Sequence, residues 1–241
     1  MTLHLRWAAV TDQGHVRSNN EDCHYAGDQL LVVADGMGGM AAGDLASRIT
    51  IEAMVSLDTR IESEHQMDAL HQALELANGR IAEQVAADPS LQGMGTTLTA
   101  VLFNGERAAM AHVGDSRAYL LRDGRLNQLT KDDTYVQMLV DQGLIKPEEA
   151  AVHPRRAVVT RVLQGEPVTP AYVIVEPQRG DRWLLCSDGL TGVVADPVLE
   201  EELRTVADPK SCAERLIDLA LRGGGPDNIT VIVADVDASS M

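Results

Sequence analysis

The chain has 241 residues, 45% of them hydrophobic, and its 36 acidic side chains outnumber the 20 basic ones, giving a net charge of −16. This length and apolar content predict one domain, residues 1–241, with a sizeable buried core. The charge argues against a nucleic acid or an anionic membrane as the principal partner, because both would be repelled.

No stretch reaches about 18 apolar residues, and residues 1–10 contain no long apolar segment, so neither a membrane span nor a signal peptide is predicted. The three cysteines, Cys23, Cys186 and Cys212, show no C-x-x-C spacing. That pattern supports neither a disulfide framework nor a zinc site. We therefore expect a cytoplasmic protein.

Eight runs rich in β-branched and apolar residues predict strands. In chain order they are residues 5–10, 30–34, 97–103, 108–113, 118–121, 171–175, 183–186 and 229–234. Asn104-Gly105 and Asp123-Gly124 are hairpin turn signals, so part of the sheet structure is predicted to be antiparallel. A repeated βαβ alternation is missing, which disfavours a doubly wound parallel sheet.

Amphipathic periodicity predicts helices in two pairs, residues 42–62 with 67–87 and residues 196–204 with 209–221. Helices that arrive in pairs between groups of strands indicate helical layers packed outside sheets. Residues 132–163 form an insertion between strands, predicted as a short helix, loops about residues 146–147 and 153–154, and a further helical turn. We interpret this insertion as a lid over a site.

Two apolar runs end in the same pattern, Asp-Gly-x-x-Gly, at residues 35–39 and 188–192. Each predicts a buried strand that delivers a carboxylate. The glycine after each aspartate permits unusual backbone angles and leaves its carbonyl free to approach an ion. Two such strand ends in one small domain predict a shared site.

Further acids occupy similar places. Asp115 follows the predicted strand at 108–113, Asp227 precedes the last one, and Glu21 and Asp22 lie shortly after Arg17. Several carboxylates without a His or Cys ligand motif predict an oxygen-ligand site for Mg²⁺ or Mn²⁺.

Two divalent ions about 4 Å apart, bridged by a carboxylate and a water, lower the pKa of that water and produce a hydroxide nucleophile at neutral pH. Such a site is suited to attack on phosphorus. A phosphate ester also needs positive charge on its oxygens, and the planar guanidinium of Arg17 offers bidentate donors for that role.

Six motifs in this order are typical of metal-dependent protein phosphatases of type 2C, and over about residues 7–236 the chain resembles a compact bacterial member of that family. The motifs are Arg17-x-x-x-Glu21-Asp22, Asp35-Gly36-Met37-Gly38-Gly39, Gly93-Met94-Gly95-Thr96-Thr97, Gly114-Asp115-Ser116-Arg117, Ser187-Asp188-Gly189 and Asp227-Asn228.

The resemblance implies an α+β fold, a four-layer α-β-β-α sandwich of two antiparallel sheets flanked by paired helices, with residues 132–163 as a small flap. It implies a protein-serine/threonine phosphatase that hydrolyses phosphoserine and phosphothreonine monoesters by attack of a water or hydroxide bridging two divalent metals, without a phosphoenzyme. It also implies two or three Mn²⁺ or Mg²⁺ ions, phosphorylated proteins as substrates and a cognate Ser/Thr kinase in bacterial signalling. We expect a monomer.

Carried over motif by motif, the resemblance assigns Asp35 to bridge the two metals and the Gly36 carbonyl to bind one of them. Asp188 and Asp227 complete the ligands of the partner ion. Asp22 acts on the second ion directly or through water.

Glu21 and Asn228 support these ligands from behind, and Arg17 binds the substrate phosphate. Asp115, together with Asp188, resembles the ligands of a third, weaker metal site. The flap at residues 132–163 would lie beside that third site.

One residue departs from the eukaryotic pattern, which has His where this chain has Met37. A thioether cannot donate a proton to the leaving oxygen. Either a metal-bound water or His153 on the flap must supply it, and we favour water.

Alternative readings remain for these residues. Each Asp-Gly could be a simple turn, Gly114-Asp115 could exist for its hydrogen bonds alone, and Arg17 could be a surface partner of Glu21. A non-catalytic sensor with the same metals and a two-metal phosphodiesterase or nuclease are the rival functions, and the charge of −16 disfavours the nuclease.

Overall fold

The computed structural model describes residues 2–38 and 42–238. Its strands are β1 (Leu3–Asp12), β2 (Asp22–Ala26), β3 (Leu30–Met37), β4 (Gly95–Thr96), β5 (Leu98–Phe103), β6 (Ala108–Val113), β7 (Arg117–Arg122), β8 (Arg125–Gln128), β9 (Ala171–Val175), β10 (Arg182–Cys186) and β11 (Ile229–Ala238). Its helices are α1 (Ala42–Met54), α2 (Gln66–Ala87), α3 (Tyr135–Asp141), α4 (Pro147–Ala150), α5 (Asp188–Thr191), α6 (Asp196–Thr205) and α7 (Pro209–Arg222).

The strands form two antiparallel sheets. One has the order β1-β11-β10-β7-β8, and the other has the order β2-β3-β5-β6-β9 with β4 paired to β3. The hairpin between β7 and β8 turns at Asp123 and Gly124, which have φ values of 53° and 75°. Both angles lie in the left-handed region that a tight hairpin turn requires, so the Asp-Gly turn signal is explained.

Three apolar clusters define the layers. Leu31 and Val33 of β3 meet Trp183 and Ile232 of the other sheet in a core between the two sheets. The opposite face of β3 packs with α1 and α2 in a second cluster. The opposite face of β10 and β11 packs with α6 and α7 in a third. The expected α+β sandwich with helices outside two antiparallel sheets is therefore confirmed.

Local capping explains where several helices begin. Asp208 accepts a hydrogen bond from the Ser211 amide at 2.9 Å, and Pro209 fills the first turn of α7. Thr134 caps α3 in the same way through the Gln137 amide at 3.2 Å. No helix among the described residues is long and apolar enough to cross a membrane.

The first predicted helix, residues 42–62, is wrong at its end. α1 stops at Met54 and continues only as a 3₁₀ turn over Val55–Leu57. Asp58 instead accepts hydrogen bonds from the Tyr25 hydroxyl at 2.8 Å and the Gln29 amide at 2.7 Å. The chain leaves the helix because Asp58 closes the turn between β2 and β3.

Three strands, β2, β4 and β8, were not predicted. The residues of β2 and β8 are mostly polar and include few β-branched side chains, and β4 has only two residues. In the insertion, Pro147 begins α4 rather than lying in a loop. Residues 154–163 form turns and isolated bridges instead of the predicted helical turn. Gly39 of the first Asp-Gly-x-x-Gly motif lies outside the described residues.

Candidate active site

Two of the predicted carboxylates face each other across neighbouring strands. Asp22 begins β2 and lies directly opposite Asp35 of β3 in the antiparallel register. Directly opposed residues have Cβ atoms about 5 Å apart. The hairpin therefore brings together two acids that the sequence places 13 positions apart.

The backbone of Asp35 is held by neighbouring threonines. Its amide donates to Thr97 Oγ1 at 2.9 Å, and its carbonyl accepts from the Thr97 amide and from Thr96 Oγ1, each at 2.9 Å. These bonds use both polar groups of the Asp35 backbone. The carboxylate therefore projects from a fixed position.

Gly36 allows a close approach between β3 and the start of α1. A Cβ on Gly36 would overlap the Gly43 carbonyl and lie 2.6 Å from the Glu21 carbonyl oxygen. The Gly36 amide donates to that same Glu21 oxygen at 3.2 Å. Only glycine fits here, which explains this part of the motif without reference to an ion.

The second sheet contributes Asp188 and Asp227. Asp188 is the first residue of α5, directly after β10, so it does not lie in a strand as Asp35 does. A Cβ on Gly189 would overlap the Asn228 carbonyl oxygen, so this glycine permits close contact between the two segments. Ser187 Oγ donates to Asp22 Oδ2 at 2.7 Å and joins the two sheets at the cleft.

Asn228 ties the segments around Glu21 to the start of β11. Its Oδ1 accepts from the Glu21 amide at 2.9 Å, and its Nδ2 donates to the Gln13 carbonyl at 2.9 Å and the Asn19 carbonyl at 2.8 Å. Asn19 Nδ2 in turn donates to Glu21 Oε1 at 3.1 Å. Asn228 and Glu21 thus link the chain segments that surround the cleft.

Asp115 lies in the loop between β6 and β7. Gly114 before it has a φ of 109°, and its amide donates to Asp133 Oδ2 at 3.1 Å. Ser116 after it shares a hydrogen bond of 2.9 Å with Thr97, the residue that holds Asp35. This loop therefore joins the root of the insertion to the acid cluster.

The acids raise one another's pKa values because they are buried together. Burial, followed by the charges of Asp188 and Asp227, raises the pKa of Asp22 to about 7. Burial and then Asp188 raise the pKa of Asp115 to about 8. Burial and then Asp227 raise that of Asp188 to about 6.

The pKa of Asp35 is raised for the same reasons. Burial raises its pKa well above the ordinary value, and the charges of Asp22, Asp188, Asp115 and Asp227 add to that effect. The charges of these four neighbours thus reach Asp35. The structure brings together every carboxylate that the sequence nominated.

Arg17 is the cation at this cleft that bonds to one of the acids. Its Nη2 donates to Asp227 Oδ2 at 2.6 Å, with the arginine side chain half exposed. Asp227 raises the pKa of Arg17, and the charges of Asp35 and Glu21 contribute. The partner is Asp227 and not Glu21, the surface partner considered from the sequence.

The cluster fits a divalent cation on one observation above the others. Asp22 Oδ1 is buried and has no hydrogen-bond partner, whereas Oδ2 is bonded to Ser187. A buried, unsatisfied carboxylate oxygen among other acids requires either a proton or a cation. Among the described residues, no group of three or more Asp, Glu, His or Cys side chains is arranged closely enough to hold a metal ion.

The sequence analysis quoted Ser187 and Thr97 in two of the motifs but gave neither residue a specific contact. Both lie beside motif aspartates or in a quoted motif, and a hydroxyl next to a motif carboxylate was the available signal. His153 contacts Tyr135 with ring centroids 6.1 Å apart, and its Nδ1 accepts from the Arg155 amide at 3.1 Å. These contacts hold His153 within the insertion.

Residues 14–220 match the family described as Protein phosphatase 2C. The serine/threonine protein phosphatase PstP of Mycobacterium tuberculosis is 54% identical over 236 residues, which cover 98% of this chain and 46% of that protein. The chain thus spans about half the length of this relative. The serine/threonine phosphatase Stp of Listeria monocytogenes is 36% identical, with 94% of each chain covered.

The fold is likewise shared with solved structures. The crystal structure of the M. tuberculosis phosphatase PstP superimposes with a TM-score of 0.95 at 53% identity, covering 98% of this chain and 100% of that chain. The PstP catalytic domain in complex with two manganese ions gives 0.93 at 52% identity, with the same coverage.

Proposed function

Because this chain belongs to the protein phosphatase 2C family, we propose that it is a serine/threonine protein phosphatase that hydrolyses phosphoserine and phosphothreonine monoesters on proteins. The observation that carries this proposal is the buried Asp22 Oδ1, which has no partner inside a cluster of acids with raised pKa values. A non-catalytic sensor would be favoured by missing acids, and none of the nominated acids is missing.

The proposed ligands are Mn²⁺ or Mg²⁺, since a related catalytic domain was solved with two manganese ions. Asp35, Asp22, Asp188, Asp227 and the Gly36 carbonyl would hold these ions.

Asp115 with Asp188 would form a third, weaker site. When bound, such ions act as Lewis acids and activate water for attack on phosphorus.

Arg17 is proposed to hold the phosphate group. Its bond to Asp227 uses one terminal nitrogen of a guanidinium that carries five N–H donors. The half-exposed side chain can therefore offer a pair of donors to two phosphate oxygens while it stays beside Asp227. Holding the ester near the acid cluster aligns phosphorus for in-line attack.

Met37 follows Gly36 and has no proton to donate. We assign protonation of the leaving oxygen to a water molecule, since the described contacts of His153 lie with Tyr135 and Arg155 in the insertion. A variant with His153 replaced by Ala is expected to keep its turnover under this assignment.

The cellular setting extends the same proposal. The domain would comprise residues 1–241 with residues 132–163 as its flap, act as a monomer in the cytoplasm, and oppose a Ser/Thr kinase in bacterial signalling. The relatives are named as serine/threonine phosphatases, which supports phosphorylated proteins as the substrates.

The test is phosphate release from a phosphothreonine peptide with EDTA, Mg²⁺ or Mn²⁺. We expect turnover with either metal and none with EDTA, and a loss of at least about 10³-fold in Asp35→Ala and Asp188→Ala, because each removes a ligand of the activating ions. A bis(p-nitrophenyl) phosphate assay, run in parallel, separates a monoesterase from a diesterase. Folded protein without metal-dependent turnover would refute the proposal and favour the sensor.

A further inference from the structure

Ser187 lies at the point where β10 enters the cleft, and it is completely buried. Its amide donates to the Thr230 carbonyl at 3.1 Å, and its hydroxyl oxygen accepts from the Thr230 amide at 2.9 Å. The hydroxyl proton is then directed to Asp22 Oδ2, at 2.7 Å. An ionised carboxylate only accepts, so the direction of this bond is fixed once Asp22 is charged.

This bond makes the two oxygens of Asp22 different. Oδ2 is occupied by Ser187, whereas Oδ1 is buried without a partner. The Asp22 amide donates to Asn20 Oδ1 at 3.1 Å, which fixes the backbone beneath the side chain. The carboxylate therefore cannot turn without breaking a short hydrogen bond inside the protein.

The hydroxyl of Ser187 is supported by a ring of hydrogen bonds. Thr230 Oγ1 lies 2.8 Å from Thr11 Oγ1, and Thr11 Oγ1 accepts from Asn20 Nδ2 at 2.9 Å. Thr11 and Thr230 are opposed in the register of β1 and β11. Asn20 returns to Asp22, so the ring closes through residues of both sheets.

We propose that Ser187 is a positioning residue, which holds Oδ2 of Asp22 so that Oδ1 faces a divalent cation. This inference rests on the proposed function, because that function supplies the cation. Groups that orient a metal ligand typically change metal affinity by 10- to 100-fold when they are removed. Ser187 acts through Asp22 and touches neither the ion nor the substrate.

The experiment measures Mn²⁺ affinity by titration calorimetry on the full chain, without reference to turnover. We expect Ser187→Ala to weaken Mn²⁺ binding about tenfold, because Asp22 loses the bond that orients it. Thr230→Val keeps the backbone amide that bonds Ser187 but removes a hydroxyl that also acts on Asp22, so it is expected to weaken binding as well, by less than Ser187→Ala does. Excess Mn²⁺ should restore kcat in both variants.

Thr50→Val is the matched control. Thr50 is also fully buried, and its hydroxyl donates to the Ala46 carbonyl within α1 at 2.9 Å. Its loss removes a buried hydroxyl from a helix and should leave Mn²⁺ affinity unchanged. A general effect of destabilisation would instead lower affinity in Thr50→Val as well, and would overturn the proposal.

Ser187→Cys covers the case in which the alanine variant does not fold. A thiol is a weak donor of similar size, so affinity should fall between wild type and alanine. Wild-type affinity in both Ser187 variants would overturn this inference alone. A wild-type protein that binds no Mn²⁺ would overturn the proposed function, and the inference with it.

Discussion

β10 and β11 hold a buried cluster of charges at each end, and the two clusters are built differently. At the end away from the cleft, Arg182 begins β10 opposite Asp235 of β11. Its guanidinium donates to both Asp235 oxygens, at 2.5 and 2.9 Å. The remaining donors reach the carbonyls of Leu203, Val206 and Ala207. This cluster is closed, because the protein itself satisfies the buried charge.

At the cleft end, the same two strands lead to Asp188 and Asp227. More acids surround this pair, and the half-exposed Arg17 bonds to Asp227. Asp22 Oδ1 lacks a hydrogen-bond partner. The protein does not balance this charge by itself, and we refer to these acids, Asp22, Asp35, Asp115, Asp188 and Asp227, as the open cluster. A buried acid that the chain leaves unpaired can bind an external ligand, whereas a buried acid that the chain pairs serves as a structural element.

The largest effect is expected from a variant that breaks the closed cluster. Arg182→Met leaves Asp235 buried with only Arg6, whose Nη2 donates to it at 2.6 Å. We expect the free energy of unfolding in urea to fall by about 3 kcal/mol. Mn²⁺ affinity should stay within about twofold of wild type, because the cleft keeps all its acids.

Arg204→Met serves as the comparison variant. Arg204 forms an exposed ion pair with Glu201 on α6, so its loss should leave the urea midpoint almost unchanged. If Arg182→Met were as stable as Arg204→Met, the contrast between a closed and an open cluster would not hold.

A smaller effect concerns pH and the open cluster. In metal-free protein the folded pKa values of Asp22 and Asp115, about 7 and about 8, lie above the value of 3.8 expected on unfolding. The folded state thus binds more protons, and stability must fall as pH rises through these values. We expect a loss of about 2 kcal/mol between pH 7 and pH 8.5 in EDTA, measured by urea unfolding.

Histidine titration contributes little to stability in this pH range. Burial lowers the pKa values of His24 and His112, which would raise stability with pH only at lower values. Asp115→Asn should flatten the profile, and saturating Mn²⁺ should remove the loss, since a cation favours the ionised acids. A metal-free profile that rises with pH in this range would show that the acids are not buried together.

The smallest expected effect concerns Arg17, the cation of the open cluster. Arg17→Ala should raise KM for a phosphothreonine peptide about tenfold, since it removes a charged donor pair for the phosphate. Arg17→Lys should fall between, because lysine keeps the charge but loses the planar pair of donors.

Arg215→Ala is the control for that measurement. The exposed Arg215 forms an ion pair at 2.9 Å with the largely buried Glu202 in the outer helical layer, away from the cleft, and its loss should not change KM. An unchanged KM in Arg17→Ala would remove the phosphate-binding role from this residue.

Much of this architecture was predictable because its signals are local. The Asp123-Gly124 turn and the amphipathic period of α2 each depend on a few neighbouring residues. Asp35, Asp115 and Asp188 could be nominated because each follows an apolar run, and Asp227 because it precedes one, whereas Asp22 was nominated from its place after Arg17. α1 was predicted too long because Asp58 serves a distant turn, which no local pattern shows.

The unpredicted features depend on contacts between distant segments. Ser187 acquires its role only because β11 places the Thr230 amide beside it and β2 places Asp22 in front of it. Arg182 and Asp235 are likewise separated by 53 positions. A single sequence shows which side chains are present, but the pairing of strands decides which charges are neutralised.

The position of β11 has a further consequence for the order of folding. β11 lies between β1 and β10, so β1 has no neighbour in its sheet until a strand made almost a whole chain length later has been synthesised. Contacts between such distant segments make folding slow, because the intervening chain must first be ordered. Asp227 and Asn228 arrive on the same segment. A growing chain on the ribosome therefore cannot assemble this cleft early, and the acids come together only when β11 closes the sheet.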